Sequence, residues 1–322
     1  MRLVTLMLAA ALCVGASSCG SSGGGSGSDA GSPAPTVPSV TQFPKVKGRT
    51  LNELAANVKS GPVLAPSVSL LEPGKNRFGF GLFDRSRKQI TDAPGAIYIA
   101  RTPDSKAYGP YVARWESLEV KGHYLSKTVA TDPDAAKTLY VADVPFKTPG
   151  KYVVLGLFRL DNRLVGAPAN VEVVKDSNVP DLGERAPKIS TPTKESVGGD
   201  LSKIDTRDPH DSMHDVNFAD AYGKRPIVIV FATPALCQSR VCGPVVDIAE
   251  QVKAGYDGDA EFIHMEIYND NELDKGFREQ VIKWKLPTEP WLFTIDSDGK
   301  IAARIEGAFS ARELEDAIAK AE

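Results

Sequence analysis

Hydrophobic and polar positions divide the chain into four stretches of different character. Residues 3–16 are mostly apolar, whereas residues 20–41 carry almost no large apolar side chain. A polar stretch of this kind cannot bury enough surface to offset the entropy lost on ordering. The pattern therefore predicts a flexible tether over residues 19–47, with folded structure beginning after it.

From residue 48 to residue 176 the apolar positions recur mainly with a period of two, which is typical of a half-buried strand. Phe78, Phe80 and Leu82 share one face of such a strand. Residues 138–175 continue with short apolar runs that turn residues separate. Short strands with frequent turns and no helix between them predict an antiparallel β-sandwich.

Two local signals refine this prediction. Thr50 and Glu53 form a capping-box pattern that predicts a short helix, which Gly61 and Pro62 end. The turn "TPGKY" at residues 148–152 resembles corners of immunoglobulin-like domains. Because neither a titratable cluster nor a glycine-rich phosphate loop occurs here, we expect a spacer or recognition module rather than a catalytic domain.

Over residues 177–322 strands and helices alternate. Residues 227–231 form a continuous apolar run typical of a buried strand, and residues 243–256 have a helical period. Ser310 and Glu313 form a second capping box, which opens the last helix. The other predicted elements are a strand at 260–268, a helix at 275–284 and a hairpin at 290–307. This βαβαββα order predicts a mostly parallel sheet with helices on both faces.

Length and charge narrow the classes of function. A chain of 322 residues is more natural for two domains than for one. Its formal net charge is -3, and no block of Lys and Arg is present to follow a phosphate backbone. We therefore expect no nucleic-acid partner.

The apolar leader predicts export from the cytoplasm. Residues 1–18 have the length and polarity of a secretory signal and are too short to span a bilayer. Ala16, Ser17 and Ser18 immediately precede Cys19 and resemble the lipobox of bacterial lipoproteins. This resemblance implies cleavage before Cys19 and a lipid on its side chain, which would tether the protein to the outside of the bacterial cell membrane.

Of the four cysteines, only one pair then remains for thiol chemistry. Cys13 would leave with the signal, so only Cys237 and Cys242 remain beside the lipid site, and outside the cytoplasm such a pair tends to oxidise. A continuous helix would place their Cα atoms about 8.6 Å apart, beyond the disulfide limit of about 7 Å. A bonded pair therefore requires a bend, with a helix starting near Gly243. Cys242 would then lie at the helix N-terminus, where the dipole and Arg240 favour a thiolate.

The C-terminal part resembles the thioredoxin-like fold, because a strand ending at Phe231 precedes a cysteine pair at a helix start and a later X-Pro-aromatic strand follows. The subgroup it resembles is that of membrane-tethered thiol-disulfide oxidoreductases and peroxiredoxin-like chains. Their opening Gly-x-x-Ala-Pro corresponds to Gly183, Ala186 and Pro187. The resemblance implies that Pro290 is a cis-proline facing the dithiol. The expected fold class is thus multidomain, with an N-terminal all-β immunoglobulin-like sandwich over 48–176 and an α/β thioredoxin-like domain over 177–322.

The sequence departs from that family in two ways. Four residues separate the cysteines instead of two, and Leu236 stands where the family has Trp. Val230 stands where the family has a buried Asp, so this position cannot transfer a proton. His264 and Glu266 share one strand face, and either is a possible proton acceptor in its place.

We therefore expect a membrane-anchored extracytoplasmic thiol-disulfide oxidoreductase in which Cys237, Cys242 and Pro290 act on protein thiols or disulfides without a cofactor. Two alternatives remain open. One is a binding module with a structural disulfide. The other is a copper-handling chaperone, for which the chain also offers these side chains: His210, Met213, His214, His264 and Met265. Under each alternative His210 and His214 are expected to be solvated loop residues.

Overall fold

The computed structural model describes residue 32 and residues 34–322 of the chain. This part contains two β-sheets and short helices. The predicted signal peptide, the predicted lipid site at Cys19 and most of the tether lie outside the described residues. None of the helices in the described part is both long enough and apolar enough to cross a membrane.

Eight strands and two short helices come first along the chain. They are α1 (Leu51–Ala55), β1 (Lys59–Ser60), β2 (Val63–Pro66), β3 (Gly74–Phe83), β4 (Gly95–Ala100), β5 (Tyr108–Ser117), α2 (Lys127–Ala130), β6 (Thr138–Phe146), β7 (Gly150–Leu160) and β8 (Arg163–Val173). The remaining elements are α3 (Phe218–Ala221), β9 (Ile227–Phe231), α4 (Cys242–Gly255), β10 (Glu261–Met265), α5 (Glu279–Lys283), β11 (Trp291–Ile295), β12 (Ile301–Glu306) and α6 (Ala311–Ile318).

The immunoglobulin-like sandwich predicted for residues 48–176 is wrong. These strands form one eight-stranded sheet in the order β1-β8-β7-β4-β5-β6-β3-β2, instead of two facing sheets. The sheet is mixed, because β1 pairs with β8 in parallel while the other neighbours are antiparallel. Since β1 and β2 lie at opposite edges but are only two residues apart in the chain, the sheet must curl until its edges approach.

Glycines permit this curvature at the centre of the sheet. The ring of Phe158 lies directly over Gly95 and Gly156, and a Cβ at either glycine would lie 2.5 Å from a ring carbon. Phe158 is fully buried and packs edge-on against Phe80 and Tyr140. The alternation of glycine and aromatic residues therefore lets an aromatic core fill the concave side of the sheet.

The prediction of a mostly parallel, thioredoxin-like α/β domain is also contradicted. The second sheet has four strands in the order β10-β9-β11-β12, and only β10 and β9 are parallel. β11 lies antiparallel to β9, and β12 returns beside it through the turn at Asp298 and Gly299. The helices are short, and strand residues dominate the described part of the chain.

β9 is buried on both faces, as its continuous apolar run predicted. Val228 and Val230 pack towards α4 and α6 in a core that also contains Leu139 and Val141 of the first sheet. Phe231 packs on the other side against Trp284. The two sheets thus share apolar packing within one compact unit, and the domain boundary predicted between residues 176 and 177 stays a prediction.

A buried ion-pair network joins the two sheets. Arg77 of β3 donates two hydrogen bonds to Glu313 of α6, at 2.7 and 2.6 Å, and Arg114 of β5 donates another at 2.6 Å. Glu313 also completes the predicted capping box with Ser310. Burial alone would raise the pKa of Glu313, but the two guanidinium groups outweigh it and hold the pKa below its usual value.

Replacing Glu313 with Gln should lower the free energy of unfolding by about 3 kcal/mol, because Arg77 loses its buried counter-charge and Arg114 keeps only Glu116. The lowered pKa makes this contribution present above the ordinary carboxyl range and lost as pH falls through the folded-state value. Urea unfolding at about pH 7 and about pH 3 measures both effects. The control is Asp143→Asn, which breaks an exposed pair with Lys75 and should cost under about 1 kcal/mol. Equal losses in the two variants would contradict the assignment.

Candidate functional site

Cys237 and Cys242 form a disulfide with a Cα–Cα distance of 6.0 Å. The segment bends as expected, because α4 begins only at Cys242 and the preceding residues are not helical. Arg240 adopts a left-handed backbone conformation with φ 57°, which turns the chain back towards Cys237. The five-residue spacing is therefore compatible with a disulfide at the first turn of the helix.

The two sulfurs differ in their access to solvent. Cys242, the first residue of α4, is fully buried in the hydrophobic core, whereas Cys237 is only partly buried. Cys237 lines a pocket of about 520 Å³ together with Pro234, Leu236 and Gln238. The hydroxyl of Ser239 lies 3.1 Å from the Cys237 Sγ. A partner reaching the disulfide through this pocket therefore meets Cys237 first.

The other wall of the pocket comes from the first sheet. The segment between β5 and β6 contributes Thr128, Val129, Asp132 and Ala135 to the lining. Val129 packs so closely on α4 that a Cβ at Gly243 would lie 2.7 Å from its Cγ2. This part of the chain, predicted to be a spacer or recognition module, thus contributes directly to the surroundings of the disulfide.

Arg240 binds the segment between β5 and β6 that forms this wall. Its Nη1 donates to Asp132 at 2.8 Å and to Asp134 at 2.7 Å, and its carbonyl oxygen accepts from the amide of Ala136 at 3.1 Å. Arg240 was expected to favour a cysteine thiolate. In the structure two carboxylates partner its charge, so it anchors the cysteine loop to the segment that covers it.

A buried carboxylate fixes α4 to the same segment. Asp247 accepts hydrogen bonds from the amide and hydroxyl of Ser126 at 2.9 and 3.1 Å and from Arg207 at 2.7 Å. Burial nevertheless raises the pKa of Asp247. These contacts hold the N-terminal half of the helix, and with it Cys242, against the first sheet.

Another carboxylate, that of Glu289, reaches the disulfide itself. β9 ends at Phe231 and the antiparallel β11 begins opposite it at Trp291, so the residues beyond them meet at one edge of the sheet. There the amide of Thr233 donates to the Oε2 of Glu289 at 3.2 Å, and Tyr268 donates to its Oε1 at 3.4 Å. The same Oε2 lies 3.6 Å from the Cys242 Sγ.

Glu289 is poised to exchange protons near neutral pH. Burial raises its pKa to about 7, and the negative charge of nearby Glu266 adds to this effect. Glu289 was not among the site residues predicted from the sequence. Its position directly before Pro290 was the one sequence feature that could have identified it. The Glu289–Pro290 peptide bond is cis, as the resemblance implied.

The two proton acceptors proposed from sequence have other partners. His264 is buried, its Nδ1 lies 2.7 Å from Asp211 Oδ2, and its Nε2 lies 3.1 Å from the carbonyl oxygen of Ala232. Glu266 accepts from the amide and hydroxyl of Thr206 at 2.7 and 2.8 Å. Within residues 34–322 neither side chain hydrogen-bonds to a cysteine sulfur, whereas Glu289 contacts one.

In the described part of the chain, the histidines considered for copper do not cluster with the cysteines. There the cysteines cluster with Glu289, and His214 and His264 cluster separately with Asp205 and Asp211. The expectation that His214 is solvated is wrong, because the residue is 2% exposed. His210 is an exposed loop residue, as expected, with 37% of its side chain accessible.

No protein-family model matches this chain, and no curated protein matches its sequence. The chemistry of the site therefore follows from its own geometry. A partly exposed sulfur is bonded to a buried one, and the buried one touches a carboxyl group with a pKa near 7. This arrangement provides a point of attack, a leaving sulfur and a proton donor.

The raised pKa of Glu289 also predicts how stability changes with pH. Its contribution is fully present below the ordinary glutamic-acid pKa and is lost as pH rises through about 7. Between about pH 4 and about pH 8, wild type should lose about 3 kcal/mol relative to Glu289→Gln. Urea unfolding across this range measures the difference. An exposed control, Glu195→Gln, should leave the profile of wild type unchanged; a flat difference for Glu289→Gln would show that its pKa is ordinary.

Proposed function

We propose that the protein is a membrane-anchored extracytoplasmic thiol-disulfide oxidoreductase that uses the Cys237–Cys242 pair. The observation that carries the proposal is the contact between the buried Cys242 Sγ and Glu289, whose pKa burial raises to about 7. An inert disulfide gains nothing from a buried carboxyl group beside one sulfur, and burying that group costs stability. A cycling disulfide uses it, because a thiolate must form and be protonated in each turnover.

The first step is attack by a partner thiolate on the Sγ of Cys237, which lines the open pocket. A bond forms between the partner sulfur and Cys237 while the Cys237–Cys242 bond breaks. The electron pair leaves on the Sγ of Cys242, where the protonated carboxyl group of Glu289 supplies a proton 3.6 Å away. The product is a mixed disulfide with the partner and a buried thiol at Cys242.

The second step releases the partner. A second thiolate of the partner attacks the partner's own sulfur in the mixed disulfide, and Cys237 leaves as a thiolate that takes a proton from solvent. The partner is oxidised to a disulfide and the cysteine pair is reduced to two thiols. In the opposite direction ionised Glu289 accepts the proton of Cys242, which then attacks the mixed disulfide.

Pro290 is the positioning residue of this proposal. It follows Glu289 directly, and its carbonyl oxygen accepts a hydrogen bond from the amide of Gly307 at 2.8 Å. This bond ties the backbone that carries Glu289 to the end of β12. A partner chain bound at the disulfide would also lie near this backbone, because Glu289 Oε2 is 3.6 Å from the Cys242 Sγ.

The location and partners follow from the leader. A lipid on Cys19 and a tether of about 28 residues, with a root-mean-square reach of roughly 25 to 30 Å, would keep the folded part close to the membrane surface. The partners are then extracytoplasmic protein thiols or disulfides close to that surface. The copper-handling alternative lacks such support, because in the described part of the chain His214 and His264 cluster apart from the cysteines.

Single cysteine variants identify the attacked sulfur. When a peptide disulfide is added, Cys242→Ser should accumulate a mixed disulfide between Cys237 and the peptide. Mass spectrometry of the intact protein detects this adduct. Cys237→Ser should form at least about tenfold less, because the remaining thiol is buried. The reverse ranking would make Cys242 the attacked sulfur. A wild-type disulfide that thiols reduce only at a potential below about -300 mV would overturn the proposed function.

Glu289→Gln tests the proton transfer. The rate of reduction per attacking thiolate should fall in wild type as pH rises through about 7, because Glu289 loses its proton. The rate of the variant should show no such fall, and below about pH 7 the variant should react about tenfold more slowly than wild type. Stopped-flow fluorescence of the reduction measures both. The matched control is Glu266→Gln, which should keep the fall in rate but move it to lower pH, since the charge of Glu266 helps raise the pKa of Glu289. If only Glu266→Gln lost the pH-dependent fall in rate, proton transfer would be assigned to Glu266.

A further inference from the structure

A second cluster of titratable side chains lies apart from the disulfide. Asp205, Asp211 and His214 belong to the loop that precedes α3, and His264 belongs to β10. All four residues are at most 3% exposed. Their nearest ligand-type atoms all lie within 4.8 Å of one another, although 53 residues of chain separate Asp211 from His264.

The distances within the cluster suit a tetrahedral cation. His214 Nε2 lies 3.4 Å from Asp205 Oδ2 and 3.3 Å from Asp211 Oδ1. His264 Nδ1 lies 2.7 Å from Asp211 Oδ2 and 3.8 Å from Asp205 Oδ1. Ligands about 2.0 to 2.2 Å from a tetrahedral metal are separated by about 3.3 to 3.6 Å. The observed separations bracket this value.

His214 is the independent sign that a ligand is required. The side chain is 2% exposed, yet among the described residues neither its Nδ1 nor its Nε2 has a hydrogen-bond partner. Its Nε2 points between two carboxylates without the geometry of a hydrogen bond to either. Leaving a buried polar group unpaired costs about 1 to 3 kcal/mol, and a metal ion between the three groups would remove that cost.

The surroundings hold the other side chains in orientations that suit ligation. The Nε2 of His264 faces the carbonyl oxygen of Ala232 at 3.1 Å, so the Nδ1 is the nitrogen directed into the cluster. Asp205 accepts from the amides of Arg207 and Asp211 at 2.7 and 2.8 Å. Such outer contacts are what orient imidazole and carboxylate ligands at metal centres.

The geometry points to a buried divalent-metal site in which Asp205, Asp211, His214 and His264 bind a transition-metal ion of the zinc type. Two imidazole nitrogens and two carboxylate oxygens are ligands that Zn²⁺ accepts in tetrahedral sites. Two carboxylates also balance the charge of a divalent ion, which matters in a site closed to solvent. The site is independent of the proposed redox function.

The metal would fasten the loop of residues 205–214 to β10. Thr206 in this loop bonds both to Glu266 and, through its hydroxyl, to the amide of Ala235 at 3.1 Å. Ala235 lies two residues before Cys237. The site therefore stabilises the layer beneath the cysteine loop without contributing a ligand to the disulfide.

The test is metal binding by the purified full chain with its disulfide oxidised, using Zn²⁺ alone as the probe. After removal of excess metal, one Zn²⁺ per chain should remain by elemental analysis, and Tm should rise by at least about 5 °C. Substitution with Co²⁺ should produce the intense visible absorption of a tetrahedral centre. His214→Gln and His264→Gln should each abolish retention, whereas His123→Asn, which replaces an exposed histidine between β5 and β6, should retain the metal.

Two controls keep the outcome decisive. The Cys237→Ser, Cys242→Ser double variant should still retain one Zn²⁺, which separates this site from the cysteines. The Co²⁺ spectrum of wild type does not depend on whether a histidine variant folds. Failure of wild type to retain Zn²⁺, equal retention by His214→Gln, or an octahedral Co²⁺ spectrum would each overturn the inference.

Discussion

The position of β9 between a parallel and an antiparallel neighbour is the constraint on which both candidate sites depend. Parallel pairing with β10 brings His264 beside the strand, and antiparallel pairing with β11 brings Glu289 to the edge where β9 ends. α4 starts from that same edge with Cys242 in its first turn. Exchanging β11 would separate Glu289 from the Cys242 sulfur, and exchanging β10 would remove His264 from its place beside β9, because ladder hydrogen bonds set the register along the whole strand.

Buried carboxyl groups serve different purposes here according to what faces them. Glu313 lies between two guanidinium groups, so its charge is stabilised and its pKa is lowered. Glu289 has only neutral donors and a neighbouring carboxylate, so burial raises its pKa to about 7. The first group fastens the two sheets together, and the second is able to exchange a proton in the physiological range. The same side chain therefore provides structure in one place and chemistry in the other.

The larger sheet takes part in the site through the segment between β5 and β6. This segment covers the cysteine loop, binds Arg240 through Asp132 and Asp134, and holds α4 through Ser126. The pocket beside Cys237 thus has one wall from the cysteine loop and α4 and the other from this segment. The contact also explains why the two sheets share a continuous core around Val141 and Val230 instead of meeting across a solvated surface.

The local features could be predicted from the sequence, because each depends on residues a few positions apart. They are the capping boxes at Thr50 and Ser310, the buried strand over 227–231 and the bend between the cysteines. Long-range packing set the number of sheets, the direction of β11, the burial of His214 and the approach of Glu289 to Cys242. Strand pairing joins residues far apart in the chain, and many pairings satisfy the same alternation, so the choice rests on the free energy of the whole packed core.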